Sequence, residues 1–397
     1  MEFSDLILEQ KIQSLQANVK QWAISREMWD DCGFKTPREA FDDEPNEGTA
    51  CVTVLWCEGP MWNMLNGYNY SDELDEFQTF IDTQEFYWDH VGGVSYGFFT
   101  KDDDLNERYL EYFEWQWICG LIRPNYTSLY QEIFDYFHRK PDLLYQLSPR
   151  QFEILISEVF ANQGYRSELG TGQSDGGVDI RLYKKDEIDE IVTLVQVKKY
   201  KPGLPVKLDA VAALSAIVNG EHASRGLFVT TSRYLPGVMD FAARKVHRLT
   251  LADSMDVSHW CESARNIIQR DKSQSFTDEN LMQLLSQPNN KNLAGKIVMT
   301  TNGYNMVRNQ FCLVVKDTES AALLMYLPAE KNFNDPPYNT RGNEVPALDQ
   351  RILDNRTKEK VFRTKKITDQ QGRVTFWGGG EIFSIWDGQA QYFDYND

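Results

Sequence analysis

The chain has 397 residues, 42% hydrophobic and 13% aromatic, with a formal net charge of −18. That length and apolar content exclude a single small domain and are ample for two or three cores. No apolar run approaches the roughly 18 residues that a membrane helix needs, and no charged-then-apolar signal opens the chain, so a soluble cytoplasmic protein without a membrane partner is expected. Six cysteines, Cys32, Cys51, Cys57, Cys119, Cys261 and Cys312, form no CxxC pair and lack histidines at ligand spacing. They read as reduced, mostly structural thiols.

The first domain is expected over 1–140. It holds seven of the ten tryptophans, Trp22, Trp29, Trp56, Trp62, Trp88, Trp115 and Trp117, so it must bury a core. A helix from about Ser4 to Trp29, strands near Cys51–Cys57 and Val91–Thr100, and helices near Leu105–Cys119 and Ser128–Phe137 suggest an α+β domain. Asp102-Asp103-Asp104 reads as the acidic cap of the helix near Leu105–Cys119 rather than a metal site. The acid of the chain is concentrated here. Residues 1–140 carry 10 Lys+Arg against 27 Asp+Glu (−17), residues 141–275 carry 17 against 17 (0), and residues 276–397 carry 14 against 15 (−1).

The second domain, expected over 141–271, carries the chemistry. Ser148-Pro149-Arg150-Gln151 is a helix start, with Ser148 as N-cap and Gln151 closing a capping box. Phe152, Leu155, Ile156, Val159 and Phe160 mark one helical face, with Glu153 at its margin and Glu158 pointing away as a solvated charge. Gly176-Gly177 signals a turn, after which Val178–Tyr183 alternates apolar and polar residues as a half-buried strand does, placing Asp179 opposite Val178, Ile180 and Leu182. Ile191–Lys198 is a second β-branched run in which Gln196 and Lys198 share a face. Leu208–Val218 then reads as a helix, Gly226–Ser232 as a buried strand, Pro236–Val246 as a helix and Leu249–Leu251 as a short strand. The order α-β-β-β-α-β-α-β gives a mixed sheet with helices on its faces.

If the two arms pair, Asp179, Gln196 and Lys198 converge, and that set suits phosphodiester hydrolysis. Carboxylate, amide and carbonyl oxygens suit Mg²⁺, with Mn²⁺ as an alternative, and a lysine orients water or neutralises developing charge. The competing account of Asp179 and Lys198 is an ordinary cross-strand pair beside a glycine turn.

Five ordered blocks weigh against the second account: Leu147–Glu153, Gln163-Gly164-Tyr165, Asp175–Asp179, Gln196–Tyr200 and Leu227–Ser232. With these, residues 147–262 resemble the Mrr-like restriction endonuclease domain, a branch of the PD-(D/E)xK nuclease superfamily. The resemblance implies that Asp179, Gln196, the Val197 carbonyl and Glu153 hold the metal, and that Asp179, Gln196, Lys198 and Glu153 form the catalytic set. Gln196 stands where the wider superfamily has a second acid, as is common in this branch. Lys199, Lys201 and Lys207 follow the motif and are expected either to contact DNA phosphates or to form a solvated charged turn. The acidic first domain then either restrains DNA binding, recruits a protein partner, or serves solubility.

A polar stretch, 272–292, including Pro288-Asn289-Asn290, reads as a linker. Beyond it, short strands at Lys296–Thr300, Phe311–Lys316, Ala321–Leu327, Val361–Thr364, Val374–Trp377 and Ile382–Trp386 suggest a small β-rich domain over 293–397, a barrel or sandwich. Gly378-Gly379-Gly380 lacks P-loop context and reads as a hairpin turn. The fold class is thus α/β, with a central PD-(D/E)xK-type mixed sheet between an α+β domain and a small β-rich one. The expected function is that of a Mg²⁺-dependent DNA endonuclease in bacterial restriction or anti-phage defence, with a homo-oligomer expected. The alternatives are a nuclease effector gated by an activating ligand or protein partner, and a non-catalytic nucleic-acid-binding protein. RNA is the weaker substrate, since no stacking motif of a known RNA module is present.

Overall fold

The computed structural model describes residues 3–41, 50–68, 70–123, 131–172, 176–185, 190–201, 203–244, 248–287, 289, 292–303, 306–318, 321–356, 360–369, 371–378 and 380–396. Of the positions singled out in the sequence, Ser128, Asp175, Val246, Pro288, Asn290 and Gly379 lie outside them. The chain divides into two compact units, Met1–Gly120 and Leu121–Asp397. The division falls 20 residues before the expected boundary at 140, because the helix expected to close the first domain packs in the second unit.

The first unit contains α1 (Phe3–Ile24), β1 (Cys32–Lys35), α2 (Pro37–Ala40), β2 (Cys51–Cys57), α3 (Gly59–Leu65), α4 (Ser71–Thr83), β3 (Phe86–Gly92), β4 (Ser95–Thr100) and α5 (Asp103–Leu121). Its antiparallel sheet has the order β1-β2-β4-β3. The single strand expected over Val91–Thr100 is instead a hairpin, turned at Gly92 (φ 140°) and Gly93 (φ 53°). These values lie where a side chain is strained and glycine is not. Leu15, Val19 and Ala23 recur at helical spacing on α1 and enter a core with Leu55, Phe77, Tyr96 and Phe98. Asp102 caps α5, its carboxylate accepting from the Leu105 N–H at 2.8 Å.

The second unit opens with α6 (Gln131–Arg139) and continues through α7 (Pro149–Asn162), β5 (Arg166–Leu169), β6 (Ile180–Lys185), β7 (Glu190–Lys198), α8 (Leu208–Gly220), β8 (Arg225–Thr230), α9 (Pro236–Ala243) and β9 (Leu249–Ala252). From α7 onward this is the expected order. The sheet runs β5-β6-β7-β8-β9, antiparallel from β5 to β7 and parallel from β7 to β9. Ser148 closes its capping box: the Gln151 N–H donates to its Oγ (3.2 Å), and the Ser148 N–H donates to Gln151 Oε1 (3.0 Å).

Two expectations fail here. Glu158 is buried, not solvated. The whole run Phe152–Phe160 of α7 is buried, and α10 (Ser254–Ser275) also packs on this helix, bringing Trp260 to 5.0 Å from Phe160. The polar stretch read as a linker is largely helical, since α10 runs to Ser275 and α11 (Asp278–Ser286) follows, capped by Thr277.

The C-terminal strands are β10 (Ile297–Asn302), β11 (Arg308–Asp317), β12 (Ala321–Leu327), β13 (Ala329–Phe333), β14 (Arg341–Pro346), β15 (Val361–Thr368), β16 (Val374–Gly378), β17 (Glu381–Ile385) and β18 (Gln391–Asp394). Six of them, β10-β11-β12-β15-β16-β17, close a barrel, and β13-β14-β18 form a separate small sheet. Strand alternation supplies two apolar layers. Val298, Cys312, Val314, Leu324, Phe376 and Phe383 form one core. Phe311, Leu313, Val315, Met325 and Leu327 form the other, with Leu281 of α11 and Ile352.

Candidate active site

The strand ends of the central sheet bring the sequence-derived residues together. Ile180 of β6 pairs with Val195 of β7. Asp179, just before β6, therefore reaches the level of Gln196 and Val197. Its N–H donates to the Val195 carbonyl (2.9 Å) and its carbonyl accepts from the Gly170 N–H (2.8 Å). Its carboxylate Oδ2 accepts from the Val197 N–H at 2.7 Å. An N–H bonded to a carboxylate is a strong contact, and this one takes the place of a ladder bond where β6 has ended. In an extended strand the N–H and C=O of one residue point the same way, so the Val197 carbonyl is also turned towards Asp179.

The turn before Asp179 needs its glycines. Gly176 and Gly177 sit at φ 67° and 87°, and a Cβ on Gly177 would come within 3.4 Å of both Gln196 Nε2 and Ile217 Cδ1. Asp179 and Gln196 are both buried. Among the described residues, Gln196 Oε1 has no hydrogen-bond partner. A buried amide oxygen left bare costs about 1–3 kcal/mol.

Lys198, on the same strand and two residues from Gln196, is half-buried and lies in register with Thr230 of β8. Glu153 is buried on α7 but does not stand open. Its Oε2 accepts from Arg150 Nη1 (2.9 Å), which also donates to the Gly170 carbonyl (2.8 Å). Arg150 thus ties the helix acid to the backbone segment that holds Asp179. Sequence reasoning did not single out Arg150; its i, i+3 spacing from Glu153 was the available signal. Lys199 is half-buried, and Lys201 and Lys207 are exposed, Lys207 at the N-cap of α8.

This segment is pinned to the end of β8. Thr231 Oγ1 accepts from the Tyr200 N–H (2.9 Å) and donates to the Tyr200 carbonyl (2.8 Å). Ser232 Oγ donates to the Leu204 carbonyl (2.7 Å), and the Val206 N–H to the Arg233 carbonyl (2.9 Å). No spacing rule in the sequence foretells these. Asp179, Gln196, Val197, Lys198 and the three following lysines therefore gather at the carboxyl end of the β7–β8 pair, where open α/β sheets place their ligands. Elsewhere on the domain, Arg181 donates to both oxygens of Glu221 (2.6 and 3.1 Å) and holds that carboxyl below its usual range.

Among the described residues no three His, Cys, Asp or Glu side chains form a metal cluster. The available donors are oxygens of another kind: the Asp179 carboxylate, the bare Gln196 amide oxygen and the Val197 carbonyl, with Glu153 engaged by Arg150. That hard oxygen set fits a small divalent cation, and Gln196 Oε1 is the atom such an ion would satisfy.

Residues 144–261 match the family model Mrr_cat, described as a restriction endonuclease. This part of the chain is thus similar to a restriction endonuclease domain. More narrowly it is Mrr-like, as the sequence blocks imply: it is 32% identical over 123 residues to the type IV methyl-directed restriction enzyme EcoKMrr of Escherichia coli K12. That match covers 29% of this chain and 38% of the relative, so the chain spans little more than a third of its length. Among solved structures, MspJI restriction endonuclease in complex with a 27-mer oligonucleotide is similar at 22% identity and TM-score 0.25, covering 35% of this chain and 32% of that one. The DNA modification-dependent restriction endonuclease AspBHI is similar at 18% identity and TM-score 0.28, covering 47% and 58%.

Proposed function

We propose that this protein is a metal-dependent DNA endonuclease of bacterial restriction or anti-phage defence. The observation that carries the reading is the bare, buried Gln196 Oε1 beside the Asp179 carboxylate within an Mrr-like domain. Asp179, Gln196 and the Val197 carbonyl would hold Mg²⁺, or Mn²⁺ in its place, with Glu153 contributing once released from Arg150. When bound, such an ion supplies a Lewis acid on the phosphate and a water of lowered pKa. The protein's own residues do the rest. The Val197 N–H fixes the Asp179 carboxylate, Lys198 orients the attacking water and offsets charge building on the phosphate, and Lys199, Lys201 and Lys207 contact the backbone of DNA.

The test is supercoiled plasmid, unmodified and methylated side by side, with wild type and Lys198→Ala in Mg²⁺ or Mn²⁺. Wild type is expected to nick and linearise, and the variant to lose at least about 10²-fold in rate. Failure of the wild type on both DNAs with both ions, while it still binds DNA, would replace this reading with a binding protein.

A further inference from the structure

We propose that Cys32 and Cys57 form a redox modification site, in which a hydroperoxide oxidises Cys32 to a sulfenic acid and Cys57 resolves it into a disulfide across β1 and β2. The inference stands on the first unit alone and does not depend on the nuclease reading. Both cysteines are free thiols, and they are directly opposite one another in the β1–β2 register. Two hydrogen bonds fix what kind of position this is. The Glu58 N–H donates to the Asp31 carbonyl (3.0 Å), so the pair one step outward is the hydrogen-bonded one. The Cys57 N–H turns to the other side, to the Val94 carbonyl (3.0 Å). Cys32 and Cys57 thus occupy a non-hydrogen-bonded pair, where Cα atoms approach to about 4.5 Å and side chains face each other. That spacing falls within the roughly 4.4–6.8 Å that a disulfide spans, so closure needs no strand movement.

The two sulfurs are not equivalent. Cys32 lies on the edge strand β1 and is partly exposed, whereas Cys57 is buried. The Cys32 thiol donates to the Asp30 carbonyl (3.2 Å), and Cys57 faces it across the ladder. The neighbouring Cys57 thiol holds Cys32 below the ordinary thiol range, and the Cys32 sulfur, together with burial, pushes Cys57 above it. Cys32 is therefore the attacking sulfur and Cys57 the resolving one. The exposed carboxylates Asp30, Asp31 and Glu58 border the pair and disfavour an anionic oxidant, which selects a small uncharged hydroperoxide.

The remaining thiols lack this arrangement. Burial pushes Cys51 and Cys119 up to about 12, and Cys261 and Cys312 are raised by burial as well. Cys51 faces Phe99, and Cys312 faces Val298 and Tyr326.

The chemistry closes without a further reagent. The Cys32 thiolate attacks a peroxide oxygen, the O–O bond breaks, and hydroxide leaves to become water. The Cys57 sulfur then attacks the Cys32 sulfur, forming S–S and expelling a second hydroxide, which takes the remaining thiol proton. Two thiols lose two electrons, and hydrogen peroxide becomes two waters. Since β1 and β2 are already paired, the bond constrains mainly the unfolded chain and raises thermal stability.

The experiment uses the reduced full-length protein, treated with hydrogen peroxide, quenched with an alkylating agent and mapped by peptide mass spectrometry. The expected result is a crosslinked Cys32–Cys57 peptide, reversed by dithiothreitol, with a thermal midpoint raised by a few degrees in wild type and not in Cys32→Ser. Cys57→Ser is expected to accumulate a Cys32 sulfenic acid that dimedone traps. Should that variant fail to fold, the wild-type peptide map decides alone. Cys32 and Cys57 both remaining alkylatable after peroxide, or crosslinks only between chains, would overturn the proposal.

Discussion

Among the described residues, two buried side-chain polar atoms have no hydrogen-bond partner, Trp88 Nε1 in the first unit and Gln196 Oε1 in the second. Their desolvation costs are similar, about 1–3 kcal/mol each, but their surroundings differ in kind. Trp88 presents a donor inside a nest of rings, with Tyr96 edge-on at 5.8 Å and Phe77 at 6.1 Å. Aromatic contacts of this sort return part of the cost through packing, and an N–H tolerates a π face. Gln196 presents an acceptor, beside a carboxylate and at a strand end followed by lysines, where no ring or N–H compensates. A bare donor among rings is a compromise of packing. A bare acceptor beside an acid is an opening for a cation.

The strongest way to break this contrast is Asp179→Ala. It removes the carboxylate and strands the Val197 N–H, and is expected to lower cleavage by at least about 10³-fold in a plasmid assay. Retained cleavage would show that the acceptor pair is structural, like its aromatic counterpart. Next in size is Trp88→Phe, expected to cost about 1–3 kcal/mol in urea unfolding because lost ring volume outweighs relief of the bare N–H, with metal response unchanged. Gln196→Met is expected to do the reverse. Removing the bare oxygen should stabilise the metal-free protein by about 1 kcal/mol, while the rise in thermal midpoint that Mn²⁺ produces in wild type should shrink. Opposite signs for these two variants sharpen the comparison, and like signs would dissolve it.

The smallest effect concerns the surface pair. Arg181 depresses the folded-state pKa of Glu221 below its unfolded value of about 4.3, so the contribution is present above that pH and is lost as pH falls through the folded value. Arg181→Met should cost only a few tenths of a kcal/mol near pH 7, because the pair is largely exposed, and nothing once both states are protonated. A cost that persists in acid would assign the effect to packing.

The legible parts of the sequence were those governed by local rules. The capping box at Ser148, the glycine turn before Asp179 and the β-branched runs each follow from one residue's neighbours, and the element order from α7 to β9 follows from them. Asp179 and Gln196 converge because the Ile180–Val195 register carries them there. What failed depends on partners remote in sequence. Periodicity gives α7 one buried face and cannot announce that the whole run Phe152–Phe160 is enclosed, which is why Glu158 reads as solvated from sequence. The polarity of 272–292 hid α10 and α11, whose apolar contact narrows to residues such as Ile268 and Leu281. Arg150 escaped notice because its second partner, the Gly170 carbonyl, is 20 residues away.

One of these elements has a mechanical meaning. α10 starts just after β9, at the Asp253 cap, and its 22 residues make a rod of about 33 Å. Along the way Arg265 pairs with Asp135 of α6 (2.9 Å), and α6 in turn reaches the barrel through Glu132 and Arg363. Past Thr277, α11 seats Leu281 in the barrel's apolar layer. With such a torque arm, a tilt of about 5° at one end is a displacement of about 3 Å at the other. The same rod therefore links the barrel to the end of β9, and β9 neighbours β8, whose Thr230 stands opposite Lys198.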